Sequence, residues 1–226
     1  MSDEKKKVEK IEPSILERAV EKLLYKTLGD RIPDGITPNM LTLFGGIGSL
    51  IGIICAALAP LCIYTLIGTI AGLVCHVICD DLDGYVARKK NMGSNSGAYF
   101  DLLTDILNIT FLIIALAFAG IVKFQIAIFL VPVYALIIFT SMNEILYVSK
   151  FTFPTVGPIE THLFFIAICV GTMITGIRPV VTIKGIGLSL ADIIFIVGAI
   201  PMYFEMIRLQ IKVFLNIKEK DNERNK

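Results

Sequence analysis

Six apolar runs, near residues 39–60, 61–80, 98–121, 124–147, 156–177 and 185–213, leave this 226-residue chain few folds to choose from. A helix needs about 20 mostly apolar residues to cross a bilayer core, and each window meets that length. A mean hydropathy of +0.74, with 55% hydrophobic residues, excludes an ordinary soluble domain. The expected fold is therefore all-α integral membrane, with six transmembrane helices plus an N-terminal interfacial amphipathic helix.

The polar remainder is short. It divides the chain into a cytoplasmic arm (1–38), a six-span domain (39–217) and a charged cytoplasmic tail (218–226). In the arm, Ser14-x-x-Glu17 has the pattern of a capping box, in which each side chain satisfies a free backbone N–H at a helix start. Ile15, Leu16, Ala19, Val20, Leu23, Leu24 and Leu28 follow at helical spacing, with Arg18, Lys22 and Lys26 on the other flank. Such a helix lies in the membrane interface with its cations toward anionic lipid headgroups, or packs on a partner subunit.

Basic residues set the orientation, because Lys and Arg are enriched in cytoplasmic loops. With six spans, both termini share a side with the 2–3 and 4–5 loops. That side carries 18 of the 21 Lys and Arg residues, and Lys123, Arg178 and Lys184 lie opposite. The net charge of +1 conceals this asymmetry. Without aromatic interleaving or a binding module around them, the basic residues do not point to nucleic acid.

All five cysteines (Cys55, Cys62, Cys75, Cys79 and Cys169) fall inside apolar windows and read as reduced, packed small residues. Cys75, His76, Cys79 and Asp80 resemble a zinc site only superficially, since two ligands one turn apart still lack partners.

The chemistry concentrates in DDLDGYVARKKNMGSNSGAYFDLLTD, Asp80 to Asp105, which holds five carboxylates between apolar runs. Asp80, Asp83, Gly84 and Ala87 share one face at the end of the second span, and Gly97, Asp101 and Asp105 share one face at the start of the third. The short connection predicts neighbouring helices running in opposite directions, with Asp80 near the depth of Asp105 and Gly84 near that of Asp101. If Gly97 marks the interface, Asp105 lies about 12 Å deeper, at ~1.5 Å per residue. Asp81 falls off the shared face and reads as a supporting or solvated acid.

Four bare aspartates in such a pocket would cost roughly 10 kcal/mol, at ~2.5–3.5 kcal/mol each, before mutual repulsion. Divalent cations remove both problems. Carboxylate oxygens suit hard ions such as Mg²⁺, which is held by a few carboxylates together with substrate phosphates. Two ions sharing ligands are an established arrangement for displacement at phosphorus. Gly84 and Gly97, one turn from an aspartate, would let a substrate approach the backbone. Gly45, Gly46, Gly48, Gly52, Gly68 and Gly72 read instead as helix-packing positions.

The pattern Asp80-x2-Asp83-Gly84-x2-Ala87-Arg88-x8-Gly97-x3-Asp101-x3-Asp105 resembles the CDP-alcohol phosphotransferase signature at every fixed position. That resemblance covers nearly the whole chain. It implies transfer of a substituted phosphate from a CDP-alcohol to a second alcohol, with release of CMP. It further implies that Asp80, Asp83 and Asp101 are the principal ligands of Mg²⁺ or Mn²⁺, two ions being expected. Asp105 would be a further ligand and the general base for the acceptor hydroxyl. Gly84, Ala87 and Gly97 would face the cytidine nucleotide, and Arg88 would meet phosphate or nucleotide. Members of this family are six-helix homodimers with the site open to the cytosol and, sideways, to membrane lipids.

Two further segments are similar to choline and ethanolamine phosphotransferases. They are Thr37-Pro38-Asn39-Met40-Leu41-Thr42-Leu43-Phe44-Gly45, and Leu146-Tyr147-x-Ser149 followed by Gly157-Pro158-Ile159-Glu160. On this likeness the acceptor is a lipid, and Asn39 and Glu160 contact nucleotide or head group. Alternatively, Asn39 is a helix cap and Glu160 a helix-start acid. Eukaryotic members of that branch have His after the third aspartate, where this chain has Leu102, and they are longer. The other donor type is CDP-diacylglycerol, with glycerol phosphate, serine or inositol phosphate as acceptor.

His76, Asn108, Asn143, Glu144, His162, Asp192 and Glu205 either bound a substrate pocket or hydrogen-bond between helices. Glu205 and Arg208, three apart, are placed to pair. Clustered acids in six spans also fit a divalent-cation channel or transporter. Against that reading, the acids gather at one mouth and no matching ionisable set lies opposite.

Overall fold

The computed structural model describes residues 9–10, 15–148, 150–151 and 157–224. Ser14 of the expected capping box and Ser149 lie outside the described residues. An amphipathic helix, α1 (Ile15–Thr27), precedes six long helices: α2 (Pro38–Ala57), α3 (Leu66–Lys89), α4 (Asn95–Phe118), α5 (Phe124–Val148), α6 (Pro158–Thr175) and α7 (Leu190–Arg224). Each of the six contains a window long and apolar enough to cross a membrane, so the chain is a multi-pass integral membrane protein.

Local chemistry sets the helix ends. Pro38 opens α2 at the position where its missing N–H costs nothing, and Thr37 caps it by accepting from Met40 N at 3.3 Å. Ser94 caps α4 by accepting from Gly97 N at 3.0 Å. Past Gly120 (φ 68°) and Gly176 (φ 71°), which stand in the left-handed region, α4 and α6 do not continue.

As the shared face of Asp80, Asp83, Gly84 and Ala87 requires, α3 continues past its apolar window to Lys89. One expected boundary moves, because the sixth span does not begin at 185. Val181–Ile183 (β3) and Ile186–Leu188 (β4) form an antiparallel hairpin, and Lys184 (φ 48°) and Gly185 (φ 82°) supply its two positive-φ turn residues. The Val and Ile content of this hairpin extends the apolar run without being helix. A second small pairing, absent from the sequence reading, joins Glu9–Lys10 (β1) to Lys150–Phe151 (β2) in parallel. At ~1.5 Å per residue, α7 is roughly 50 Å long against a hydrocarbon core of about 30 Å. Its charged end therefore extends beyond the apolar layer as helix to Arg224.

Helix α2 packs on both α3 and α4, α3 on α6, α4 on α5, and α5 and α6 on α7. Phe165, Phe195, Leu112, Leu116 and Ile168 are buried in the shared core, while Leu43, Phe44, Ile47 and Phe139 face outward, as lipid contact requires.

The α2–α3 contact is a seam of small residues. A Cβ on Gly45 would meet Cys79 Cβ at 2.9 Å, one on Gly48 would meet Cys75 Sγ at 2.8 Å, and one on Gly68 would meet Cys55 Sγ at 2.6 Å. At Gly72 the obstacle is backbone, Gly48 O at 2.5 Å and Gly52 Cα at 2.9 Å. Lipid supplies no hydrophobic drive between helices, so close backbone approach holds them together. We expect Gly72→Val to lower the unfolding free energy by about 1–3 kcal/mol through overpacking. Thermal unfolding in detergent checks this, with Gly35→Ala, whose added Cβ meets nothing within 4 Å, as the neutral control.

Candidate active site

The acidic ends of α3 and α4 face one another across a narrow cleft floored by α2. His76, Asp80 and Asp83 follow one face of α3, and Asp101 and Asp105 one face of α4. The two helices have little direct backbone contact and are bridged by α2, which packs along both. They are neighbours across the cleft, as the short connection leads one to expect, but α2 and not direct backbone contact joins them. Thr42, Gly45, His76, Asp80, Asp101 and Thr104 line the cleft.

Carboxylate oxygens of Asp80, Asp101 and Asp105 lie within 4.8 Å of one another. Asp101 stands within side-chain hydrogen-bonding reach of both Asp80 and Asp83, so the fourth acid belongs to the same group. Asp83 is buried, and one of its oxygens accepts a hydrogen bond from the Thr42 hydroxyl. Asp105 is buried as well, its Oδ1 3.5 Å from His76 Nε2. Among the described residues, no Lys or Arg pairs with these four acids. A converging set of carboxylate oxygens without protein cations is the donor chemistry of a hard divalent ion, and the residues present fit one.

Other motif positions ring this centre. A Cβ on Gly84 would meet only the movable guanidinium of Arg88, at 3.3 Å. One on Gly97 would meet Ser94 Oγ at 3.0 Å and Asn39 Oδ1 at 3.1 Å, which places Asn39 beside the first turn of α4. Asn39 is not the cap of α2, because Thr37 fills that role. Ala87 is half-buried beside the exposed Arg88. Glu160 accepts from its own Gly157 N at 3.0 Å and so closes the start of α6, the helix-start alternative for this residue.

Helix α1 and the following loop strap the end of α3. Arg88 Nη2 donates to the Tyr25 hydroxyl at 2.7 Å, and Tyr25 donates to Glu21 at 3.1 Å while stacking on Tyr85 at 4.7 Å. Burial raises the Tyr25 phenol well above its ordinary value, so it remains a hydroxyl. Lys89 bonds Asp30 at 2.8 Å and, with Tyr85, holds that carboxyl below the usual range. Lys90 Nζ donates to the carbonyls of Pro33, Asp34 and Ile36. Asp81, off the face shared by Asp80 and Asp83, lies near Glu21 and Glu17 of α1 and near Arg88.

Several polar residues weighed from sequence lie elsewhere. Asp192 accepts from Ser189 N at 2.9 Å and Lys123 N at 2.7 Å, fastening the start of α7 to the α4–α5 turn. Glu205 pairs with Arg208 at 2.8 Å, Asn216 donates to the buried Glu144 at 3.2 Å, and Asn143 bonds the Phe139 carbonyl at 2.7 Å. Cys75 and Cys79 face the glycines of α2, whereas His76 turns to Asp105, so the superficial zinc grouping is split between two faces. Among the cleft residues, sequence reasoning left Thr42 and Thr104 without a role and His76 as either pocket boundary or interhelical hydrogen-bonding group. A signal existed for each, since Thr42 is one turn from Asn39 and from Gly45, Thr104 one turn from Asp101, and His76 one turn before Asp80.

No curated protein gives a significant match to the chain. The family profile described as CDP-alcohol phosphatidyltransferase matches residues 35–204, which span the whole carboxylate group and well over half of the chain. Its members move a substituted phosphate from a CDP-alcohol to an acceptor alcohol and generally depend on a divalent metal. The chain therefore belongs to the CDP-alcohol phosphatidyltransferase family and is a transferase for substituted phosphate groups.

Proposed function

We propose that this enzyme joins a CDP-choline- or CDP-ethanolamine-type donor to a diacylglycerol-like lipid acceptor, releasing CMP on the cytoplasmic side of the membrane as a homodimer. The observation that carries the reaction is the convergence of Asp80, Asp101 and Asp105 within 4.8 Å at the matched motif. The choice of donor follows the likeness of the Thr37–Gly45 and Gly157–Glu160 segments to that branch. Orientation follows the 18-to-3 split of basic residues.

The chain's residues divide the work. Asp80, Asp83, Asp101 and Asp105 would hold Mg²⁺ or Mn²⁺, which when bound neutralises the pyrophosphate and stabilises departing CMP. Thr42 orients Asp83 through its hydroxyl. Gly84 and Gly97, which lack side chains, and the small Ala87 would let the nucleotide come close, with Asn39 beside Gly97. Asp105 takes the proton from the acceptor hydroxyl as that oxygen bonds to the phosphorus bearing the donor alcohol and the bond from that phosphorus to CMP breaks. Arg88 binds phosphate by exchanging its neutral partner, the Tyr25 hydroxyl, for a charged one.

The test is CMP release by purified protein with Mg²⁺, crossing CDP-choline, CDP-ethanolamine and CDP-diacylglycerol with diacylglycerol, glycerol phosphate, serine and inositol phosphate. Release from a CDP-amino alcohol with diacylglycerol, lost in EDTA, supports the reading. Release only from CDP-diacylglycerol overturns the donor assignment and keeps the reaction. We also expect Arg88→Ala to raise the KM for the CDP donor roughly tenfold with a smaller change in kcat, the pattern of lost uniform binding.

A further inference from the structure

His76 is buried, only 4% exposed, and neither ring nitrogen has a hydrogen-bond partner among the described residues. Buried polar groups rarely go unmatched, so two free nitrogens on one ring point to a task. The ring does not face lipid. It lines the cleft one turn deeper than Asp80, with Nε2 3.5 Å from Asp105 Oδ1. Closing that gap by roughly half an ångström makes a hydrogen bond. The ring's other neighbour is His162, with centroids 5.3 Å apart. His162 Nδ1 already donates to the Pro158 carbonyl at 2.7 Å, which fixes that ring on α6 and leaves it as a wall behind His76.

We propose that His76 is a positioning residue for the transfer reaction, its Nε2–H holding the Asp105 carboxylate in the orientation that receives the acceptor proton. This rests on the reading of Asp105 as base given above. Asp105 projects from α4 across a cleft where α3 and α4 scarcely touch, and among the described residues no donor on its own helix holds its carboxylate. His76, on the opposite wall, is placed to supply one. The neutral imidazole suffices for this, because one N–H orients the carboxylate without adding charge to the group.

The test is a double-mutant cycle on purified full-length protein, read by CMP release and by Mn²⁺ binding to the CMP-saturated protein followed by electron paramagnetic resonance. His76→Leu removes the donor and His76→Gln keeps an N–H of similar reach. We expect His76→Leu to lower kcat roughly thirtyfold with little change in donor KM, and to weaken Mn²⁺ binding about fivefold. His76→Gln should restore most of both. In an Asp105→Asn background, His76→Leu should cost nothing further in either readout. Additive losses, or a glutamine variant no better than leucine while unfolding at the wild-type temperature, would overturn the proposal. Normal turnover in Asp105→Asn alone would sink the base assignment instead, and the Mn²⁺ cycle would still report whether His76 acts through Asp105.

Discussion

Asparagine in place of Asp101 is expected to slow CMP release by roughly a thousandfold or more, about 4 kcal/mol in the barrier at 1.4 kcal/mol per tenfold. The substitution keeps shape and volume but removes one charge from the middle of the carboxylate group, between Asp80 and Asp83. A neutral amide binds a hard divalent ion far less well than a carboxylate, so the effect should extend to Mg²⁺-dependent nucleotide binding. Asp83→Asn should behave alike, since the Thr42 hydroxyl can still bond its remaining oxygen. Stability gives the opposite sign. Without metal, removing one of several crowded negative charges relieves repulsion, so the variant should unfold no earlier than wild type. Added Mg²⁺ and CMP should raise the wild-type unfolding temperature and leave the variant where it was. An Asp101→Asn protein that still gained thermal stability from Mg²⁺ and CMP would remove Asp101 from the ion-binding set.

Asp105→Asn should separate binding from chemistry. We expect kcat to fall roughly a hundredfold or more, the scale of a lost general base, while donor affinity changes only a few-fold. Asp105 is the deeper of the two acids on α4, beside His76, so on the lipid-acceptor proposal it stands where the acceptor hydroxyl would meet it. The pairing matters for the sign of the outcome. If donor KM rose as much as kcat fell, Asp105 would be a binding ligand first and a base second. Equilibrium binding of CDP-ethanolamine to both proteins distinguishes these results directly.

The carboxylate group was legible in the sequence because helical spacing alone puts Asp80 and Asp83, and Asp101 and Asp105, on single faces, and a short loop turns one helix back beside the other. Depth matching of Asp80 with Asp105 needed no more than a constant rise per residue. The cleft was not legible, because it depends on α2 holding α3 and α4 apart, and no local pattern reports which helix intervenes. Thr42 and Asp83 are 41 residues apart in sequence, and a threonine in a span ordinarily bonds its own helix, as Thr42 also does toward the Pro38 carbonyl at 3.3 Å. A lone histidine among apolar residues likewise looks like any interhelical hydrogen-bonding group until its neighbours are known. The hairpin at Val181–Leu188 escaped notice because hydropathy measures apolar content, not backbone shape. The seam glycines were read as packing positions, and the contacts at Gly45, Gly48, Gly52, Gly68 and Gly72 are packing contacts.

That seam also acts as a ruler for the cleft. Its last rung, Gly45 against Cys79, stands one turn from Thr42 on α2 and one turn from Asp83 on α3. The height of the hydroxyl over the carboxylate is thus dictated inside the membrane, by two backbones that cannot come closer, and not by the polar groups themselves. A spacer made of main chain and short cysteine side chains has few rotamers to sample. Warming, or a bilayer of different thickness, should leave this wall of the cleft unaltered, so whatever breathing admits two substrates of unequal size belongs to the α4 side.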